Sequence, residues 1–403
     1  MSRRRALFAT GPKGPADNEI WYTSTDGQII TPSGFTILSN TYRNGVGRIV
    51  TNKKITSIPN SAFQNKTTLS SISMVWENIT SIGSRAFNSC SNLHQDFHFA
   101  NLTSLITFNH SAENFNGSGI TGFDAPLLTS IPNSCFSGCS SLKSVNIPHV
   151  TDIGPGSFKG CSILEEINME SVETIQNYAF NSCSALHQDL YLPKLTSMPA
   201  SGTNTRHFYS SGITGFDAPL LTSVPSEAFR SCSSLVNVNI PSVTSIAGSA
   251  FRNCSALASI NMESVTTISD YAFNGCSALH QDLHLPNLTT MPGGNLVRTF
   301  AGSGTTGFDA PILTSVPDSA FYPCASLVNV NIPSVTSIAG SAFRNCSAMQ
   351  ILSLGNTIPS LSTYVFASTP LQHIYVPADM VEEYKADSAW SAYASIISAY
   401  PNV

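Results

Sequence analysis

The sequence predicts a solenoid of about fourteen stacked coils, each 22–26 residues long, with a parallel β-sheet on one face. Three observations support this prediction. The segment "LVNVNIPSVTSIAGSAFRNCSA" occurs unchanged at 235–256 and at 327–348. The tripeptide "HQD" begins at His94, His187 and His280, 93 residues apart each time. The segment "VNVNIP" alternates apolar and polar side chains, which is typical of a strand with one buried face.

The longer period indicates that a block of four coils was duplicated. Each block has two coils of 22 residues, one of 23 with "HQD", and one of 25 or 26 with "GFDAP". One coil cannot bury its own apolar face, so neighbouring coils must cover it. The "AF" dipeptide of a coil predicts a single helical or 3-10 turn that packs Phe inward on the wall opposite the sheet. The GFDAP coils lack "AF" and Cys, so we expect Phe208 and Phe300 to replace the missing Phe.

Caps are expected at both ends of the solenoid, because open ends expose apolar surface and strand edges. We assign residues 1–54 to an N-terminal cap or attachment segment, 55–379 to the solenoid and 380–403 to a helical cap. In the first segment, the turn signal Asp26-Gly27 within "EIWYTSTDGQIITP" predicts a hairpin. Trp21 and Tyr22 of this segment are expected to cover the first coil.

The C-terminal cap is predicted as a helix with Asp379 as its N-cap and with a break near Ser388. Its apolar side chains are expected to lie against the last coil: Val381, Tyr384, Trp390, Tyr393 and Ile397.

Composition excludes several function classes. The 403 residues are only 11% charged and carry a net charge of −5, which argues against a nucleic-acid partner. No run of about 18 apolar residues is present, so membrane insertion is not expected. The first residues are basic, but the apolar stretch after them is too short for an export signal. The motifs GxxxxGK[ST], HExxH and GxSxG at a strand-to-helix turn do not occur, so neither enzyme activity nor a cofactor is expected.

Nine of the ten cysteines occupy the same place in their coils. We therefore expect rows of free, buried thiols that act as small apolar fillers. Rows of three cannot pair completely as disulfides, and the 22-residue spacing produces no metal-binding CxxC motif.

The segment "LTSIPNSCFSGCSSLKSVNIP" at 128–148 resembles the leucine-rich repeat of the BspA type, and the resemblance extends over about 55–377. It implies a curved leucine-rich repeat solenoid of α/β type that serves adhesion or protein recognition. The segment "YVPADMVEEYKADSAWSAY" is similar to the terminal helix of such proteins in gut bacteria and their phages.

From this resemblance we expect a non-catalytic binding or adhesion protein that recognises a protein or glycan on a cell surface. We expect it to be a structural protein exposed on a phage virion, with residues 1–54 contacting other virion proteins. Two alternatives stay open. One is an intracellular, cytoplasmic scaffold or protein-interaction module, and the other is a secreted adhesin on a bacterial cell surface.

The outward residues of the strands form the predicted binding surface. Three trios stand out, one in each block: Asp96, His98 and Asp124; Asp189, Tyr191 and Asp217; Asp282, His284 and Asp309. Each last Asp should lie on the next strand, beside the His or Tyr. A trio could hold a divalent cation or a sugar. The other interpretation is a solvated polar face with rows of hydrogen-bonded Asn; we assign no metal.

The enlarged GFDAP coils are the second candidate for binding. Their added residues, for example at 201–211 and 293–304, should form loops that recur every four coils. Tyr209 in one of these loops is expected to be exposed and available to a ligand.

Overall fold

The computed structural model describes residues 14–107, 112–200, 205–292 and 297–401. They divide into two compact units, Met1–Gln188 and Asp189–Val403. Each unit is a parallel β-solenoid, and together the units contain about 15 turns, in agreement with the predicted fold class. No helix among the described residues is long and apolar enough to cross a membrane.

Each regular coil has three parts in chain order. A front strand, such as Asn237–Asn239, comes first and pairs in register with the front strands of neighbouring coils. A side strand of two residues follows, such as Ser245–Ile246. The chain then makes a turn that carries the Phe of the "AF" dipeptide, here called the Phe turn, before it enters the next coil.

In the first unit the front strands form one parallel sheet. They are Asp96–His98, Gly122–Asp124, Ser144–Asn146 and Glu166–Asn168. The side strands form two three-stranded sheets. They are Ser57–Ile58, Ser81–Ile82, Ser104–Leu105, Ser130–Ile131, Asp152–Ile153 and Thr174–Ile175. A 3-10 turn, Trp76–Asn78, follows the front strand of the first coil.

In the second unit the front strands form two sheets. The first contains Asp189–Tyr191, Gly215–Asp217, Asn237–Asn239 and Ser259–Asn261. The second contains Asp282–His284, Gly307–Asp309, Asn329–Asn331, Ile351–Ser353, His373–Val376 and a last strand described below. The side strands are Ser223–Val224, Ser245–Ile246, Thr267–Ile268, Ser315–Val316, Ser337–Ile338 and Ser360–Leu361.

A stack of Phe rings fills the interior behind the front sheet. In the second unit the Phe229 ring lies parallel to those of Phe208 and Phe251, with centroids 5.3 Å and 5.2 Å away. The backbone N–H of Phe229 donates to the carbonyl of Ala250 in the next coil, so the back wall has its own row of hydrogen bonds. Phe208 and Phe300 are fully buried in this stack, which confirms that they replace the missing Phe.

The cysteines form the predicted rows of free, buried thiols. Cys254 Sγ, for example, donates to the carbonyl oxygen of Phe229 in the preceding coil at 3.0 Å. In the GFDAP coils a serine takes the place of Cys, and Ser211 Oγ lies 3.6 Å from Cys232 Sγ. Burial raises the pKa of the Cys232 thiol to about 12, so the side chain stays protonated and acts as a filler.

The N-terminal cap contains a hairpin, but not at the predicted position. Its strands are Ile37–Arg43 and Val46–Thr51, joined through Asn44-Gly45, whose φ angles are both positive at 50° and 81°. Asp26-Gly27 does form a turn, in which Gln28 N donates to Asp26 Oδ1, but no strand follows directly.

The reason for this difference is that the strand Glu19–Ser24 pairs on both of its edges. It is antiparallel to Val46–Thr51 on one side and to Leu69–Ser73 of the first coil on the other. Residues directly after Gly27 therefore have no free edge beside it. Tyr22 lies opposite Ile72 and is fully buried, so it covers the first coil as expected, whereas Trp21 is half-buried.

The C-terminal cap is helical but more broken than predicted. A 3-10 turn, Ala378–Met380, leads into the helix Val381–Ala386, and a second 3-10 segment covers Ser391–Ile396. The predicted cap at Asp379 is wrong, because Asp379 lies inside the first turn and the helix is preceded by Met380 without a side-chain cap. The predicted break near Ser388 is present.

The break and its neighbours attach the cap to the solenoid. Asp387 ends the helix in an extended conformation, and its Oδ1 accepts from Ala389 N. Buried Trp390 donates through Nε1 to the Pro359 carbonyl, and Tyr384 Oη donates to the Gly355 carbonyl. The chain ends with a strand that sequence reasoning missed, Ile397–Ala399, which pairs with His373–Val376 and covers the edge of the sheet.

In each block the glutamine side chain of "HQD" interrupts the front sheet. Gln281 Oε1 accepts from Ile260 N at 2.9 Å and Gln281 Nε2 donates to Ile260 O at 3.1 Å. Gln95 makes the same pair of bonds with Ile72, and Gln188 with Ile167. The amide of "HQD" thus takes the place of a strand backbone and satisfies the polar groups of the preceding strand.

Candidate ligand-binding strand face

The structure places the last two members of each predicted trio side by side. His284 lies opposite Asp309 on the next front strand, and His284 Nδ1 is 2.5 Å from Asp309 Oδ2. His98 and Asp124 repeat this arrangement at 3.4 Å. Tyr191 lies opposite Asp217. The register predicted from the period is therefore correct in all three blocks.

The first Asp of each trio lies opposite a glycine on the next front strand. Asp282 lies opposite Gly307, where an added Cβ would stand 2.8 Å from Asp282 Oδ1. The hydroxyl of Thr306 donates to that same oxygen. Asp96 with Thr121 and Asp189 with Thr214 are held in the same way. The Gly of "GFDAP" therefore makes room for a carboxylate, a role that sequence reasoning missed.

The last Asp of each trio begins a row of hydrogen-bonded amides. Asn239 Nδ2 donates to Asp217 Oδ1 at 2.8 Å, and Asn261 Nδ2 donates to Asn239 Oδ1 at 3.1 Å. The first block has the equivalent row, Asp124, Asn146 and Asn168. In the third block Asn331 donates to Asp309. These contacts are the Asn rows that the sequence predicted as one interpretation of the polar face.

The cation interpretation receives no support from this geometry. Among residues 14–107, 112–200, 205–292 and 297–401, no three His, Cys, Asp or Glu side chains converge to hold a metal ion. The carboxylates of the trios are engaged by the Thr, Asn and His side chains beside them. The sugar interpretation does not need converging ligands of this kind.

The second unit has an open groove of about 670 Å³ across its strand face. Five front strands form its floor, from Asp189–Tyr191 to Asp282–His284. Tyr191, 63% exposed, lies on the first strand and His284 lies on the last. Between them the lining side chains that point outward are carboxylates, amides and one hydroxyl: Asp189, Asp217, Asn237, Asn239, Ser259, Asn261, Glu263 and Asp282.

The row of amides in the floor ends with an unused acceptor. Asn261 Oδ1 is buried and has no hydrogen-bond partner. The next outward residue along the row is His284, but its Nδ1 faces Asp309 on the far side. The floor therefore ends, close to His284, in an oxygen that lacks a donor.

Tyr209, predicted as an exposed loop residue of a GFDAP coil, is less exposed than expected. It follows Phe208 in the Phe turn and is half-buried. The guanidinium carbons of Arg206 and Arg230 lie 5.0 Å and 5.8 Å from its ring centroid. Both arginines are paired with Glu227, whose pKa is lowered by these two partners against the opposing effect of burial. Tyr209 therefore belongs to a packed cluster on the back wall.

The structure describes only part of the predicted loops at 201–211 and 293–304. Residues 201–204 and 293–296, in the enlarged GFDAP coils, lie outside the described residues. The described flanks place these insertions, in chain order, after the side-strand segment and before the Phe turn. They are therefore separated in the chain from the front strands that carry the trios.

Comparison with known proteins agrees with the coil anatomy. The sequence matches the BspA-type leucine-rich repeat region in six copies, over residues 28–109, 109–202, 202–299 and 314–395. The chain belongs to the BspA-type leucine-rich repeat family. No curated protein sequence matches it.

A solved structure supports the fold of this BspA-type protein. A leucine-rich repeat protein from Bacteroides ovatus superposes with a TM-score of 0.59 at 20% identity, covering 87% of both chains, and this similarity extends to the fold alone. The comparison also matches a leucine-rich cell surface protein from Faecalibacterium prausnitzii, 23% identical over 88% of this chain and 96% of its own, with a TM-score of 0.37.

Proposed function

We propose that this BspA-type repeat protein is a non-catalytic binding protein of the adhesin kind. It recognises a protein or glycan on a cell surface through the strand face. The observation that carries the proposal is the groove between Tyr191 and His284, in which eight polar side chains line a surface that the fold does not use for packing.

The hydrogen bonds along the strand face favour binding by reducing its entropic cost. Asp217, Asn239 and Asn261 already hold one another in a single arrangement. A ligand that contacts them does not need to order them, so less of its interaction energy is lost. The backbone beneath is held in register by parallel strand pairing.

For the setting of this activity we propose exposure on a phage particle, with the segment of residues 1–54 contacting other virion proteins. This proposal is supported by the resemblance of the C-terminal segment to phage and gut-bacterial members. A bacterial cell surface is the alternative. Mass spectrometry of purified particles tests the setting: the protein in stoichiometric amounts supports the virion, and its presence only in the bacterial surface fraction contradicts it.

Binding itself is tested with a fluorescently labelled protein on a panel of bacterial and epithelial cells by flow cytometry. Ser259→Arg places a long cationic side chain on the exposed floor of the groove, and we expect it to abolish binding. Ser255→Arg is the matched control, because Ser255 is equally exposed but lies in the turn after the Phe turn. Absence of binding to every cell type, or equal binding by the wild type and Ser259→Arg, would refute the proposal.

A further inference from the structure

We propose that the groove between Tyr191 and His284 binds a neutral oligosaccharide. This inference rests on the proposed function and names the class of ligand that the groove recognises. It is argued from the polarity, the charge, the exposed aromatic ring and the length of the groove.

The polarity of the groove is opposite to that of a protein-binding hot spot. Its apolar residues, such as Phe216, Val238 and Ile260, are buried and point inward. The cores of protein interfaces are enriched in aromatic residues, Met and Arg, and depleted in Asp and Glu. This groove has four carboxylates and no Arg or Met side chain among its outward residues, so a protein partner would find no apolar anchor.

The charge of the groove excludes acidic ligands. Asp189, Asp217, Glu263 and Asp282 line it, and no Lys or Arg is among its lining residues. An anionic glycan would meet like charges without a compensating cation, which disfavours association. A neutral ligand rich in hydroxyl groups meets no such penalty, because carboxylates accept hydrogen bonds from hydroxyls and amides both accept from and donate to them.

Tyr191 supplies a platform at one end of the groove. Its side chain is outward on a front strand and 63% exposed, which is unusual for a large ring in this chain. Aromatic rings combine an apolar face with a polar tip, and the apolar face of a pyranose ring can stack on such a surface. The equivalent position is His98 in the first block and His284 in the third, so the ring of Tyr191 is particular to this groove.

The floor offers a hydroxyl group several partners in a fixed order. Asp217, Asn239 and Asn261 form one row, and Asn261 Oδ1 at its end lacks a donor. That oxygen is shielded from solvent, so a ligand hydroxyl meets the other polar groups of the row, which accept and donate hydrogen bonds.

The length of the groove matches a chain of several sugars. From Tyr191 to Asn261 there are three steps between hydrogen-bonded front strands, which at about 4.8 Å per step give roughly 14 Å, and His284 lies one coil further along. The groove is open to solvent along this length, so a linear oligosaccharide can lie across the strands with one ring on Tyr191 and another beside His284.

The test is isothermal titration calorimetry of the full chain with defined probes. The neutral probes are maltohexaose, cellohexaose, mannohexaose and chitohexaose; sialyllactose is the acidic probe and hexalysine the peptide probe. We expect at least one neutral hexasaccharide to bind more tightly than hexalysine at physiological ionic strength, and sialyllactose not to bind. Tyr191→Ala should weaken that binding by about tenfold or more, whereas Tyr191→Phe, which keeps the ring, should stay within about threefold.

His98→Ala is the matched control for His284→Ala, because both histidines are exposed partners of an Asp but only His284 lines the groove. We expect loss of affinity from His284→Ala alone, with unchanged circular dichroism in both variants. Binding of hexalysine in place of the neutral sugars, no binding of any probe, or full affinity in Tyr191→Ala would each overturn the proposal.

The two proposals fail in different ways. If Ser259→Arg abolishes cell binding but no neutral hexasaccharide binds or competes, the ligand class is wrong and the binding function stands. If the wild-type protein binds no cell at all, the proposed function itself fails.

Discussion

Replacing Gln281 with Met should locally destabilise the front sheet where it is interrupted. The Gln281 amide makes two hydrogen bonds, to the N–H and to the carbonyl of Ile260, at 2.9 Å and 3.1 Å. Met has a similar length but no donor and only a weak acceptor, so both partly buried backbone groups lose their partners. Such a group costs about 1–3 kcal/mol when left unpaired. With about 1–2 kcal/mol for each of the two groups, we expect the local free energy of opening to fall by about 2–4 kcal/mol.

Hydrogen–deuterium exchange measured by mass spectrometry reports this change directly. A local loss of about 2–4 kcal/mol, at about 1.4 kcal/mol per decade, corresponds to exchange roughly 30- to 700-fold faster in the peptide that contains Ile260. The peptide around Val145, whose strand pairs with front strands on both sides and lies far from Gln281 in the chain, should change little. Gln350→Met, at an exposed glutamine, is the control. Unchanged exchange around Ile260 in Gln281→Met would show that the amide does not replace a strand.

Three further predictions concern buried groups. Burial lowers the pKa of His207 to about 4 from 6.5, so its contribution to stability is complete above pH 6.5 and is lost as the pH falls towards 4. His207→Thr, the residue at the same place in the third block, should remove up to about 3 kcal/mol of this pH dependence in thermal melts between pH 7 and 4; equal slopes would contradict it. At pH 8 iodoacetamide should label none of the 10 cysteines in the native protein and all of them in urea, since burial raises the pKa of thiols such as Cys139 to about 12; native labelling would contradict it. Phe229→Ala should cost about 3–5 kcal/mol in chemical unfolding because it opens the ring stack, and a cost as small as that of Tyr209→Ala would argue against the stack as the main core.

The strand face could be predicted from the sequence because the repeat period alone sets its register. Once each coil has one front strand, Asp309 must lie beside His284 and Asn239 beside Asp217, and the structure has both pairs. The burial of Phe208 follows in the same way from the need to fill the place of a missing ring.

Other features depend on contacts that no period encodes. The role of Gln281 depends on a hydrogen bond between its side chain and the backbone of the preceding coil. No pattern of residues around "HQD" predicts such a contact. Two Asx-Gly turn signals compete in the N-terminal cap, and the choice of Asn44-Gly45 depends on which strand edges are already occupied. The strand Ile397–Ala399 was missed because its residues continue a pattern that also suits a helix.

The recurrence of the glutamine at 93-residue intervals has a consequence for how such a chain changes length. A chain that lacked residues 189–281 would carry Asp282 directly after Gln188, so the tripeptide at the joint would be regenerated intact. The same holds for insertion of another copy at that point. Recombination between these near-identical stretches can therefore shorten or extend the protein by whole blocks, and each such event removes or adds one trio of strand-face residues while leaving both caps untouched.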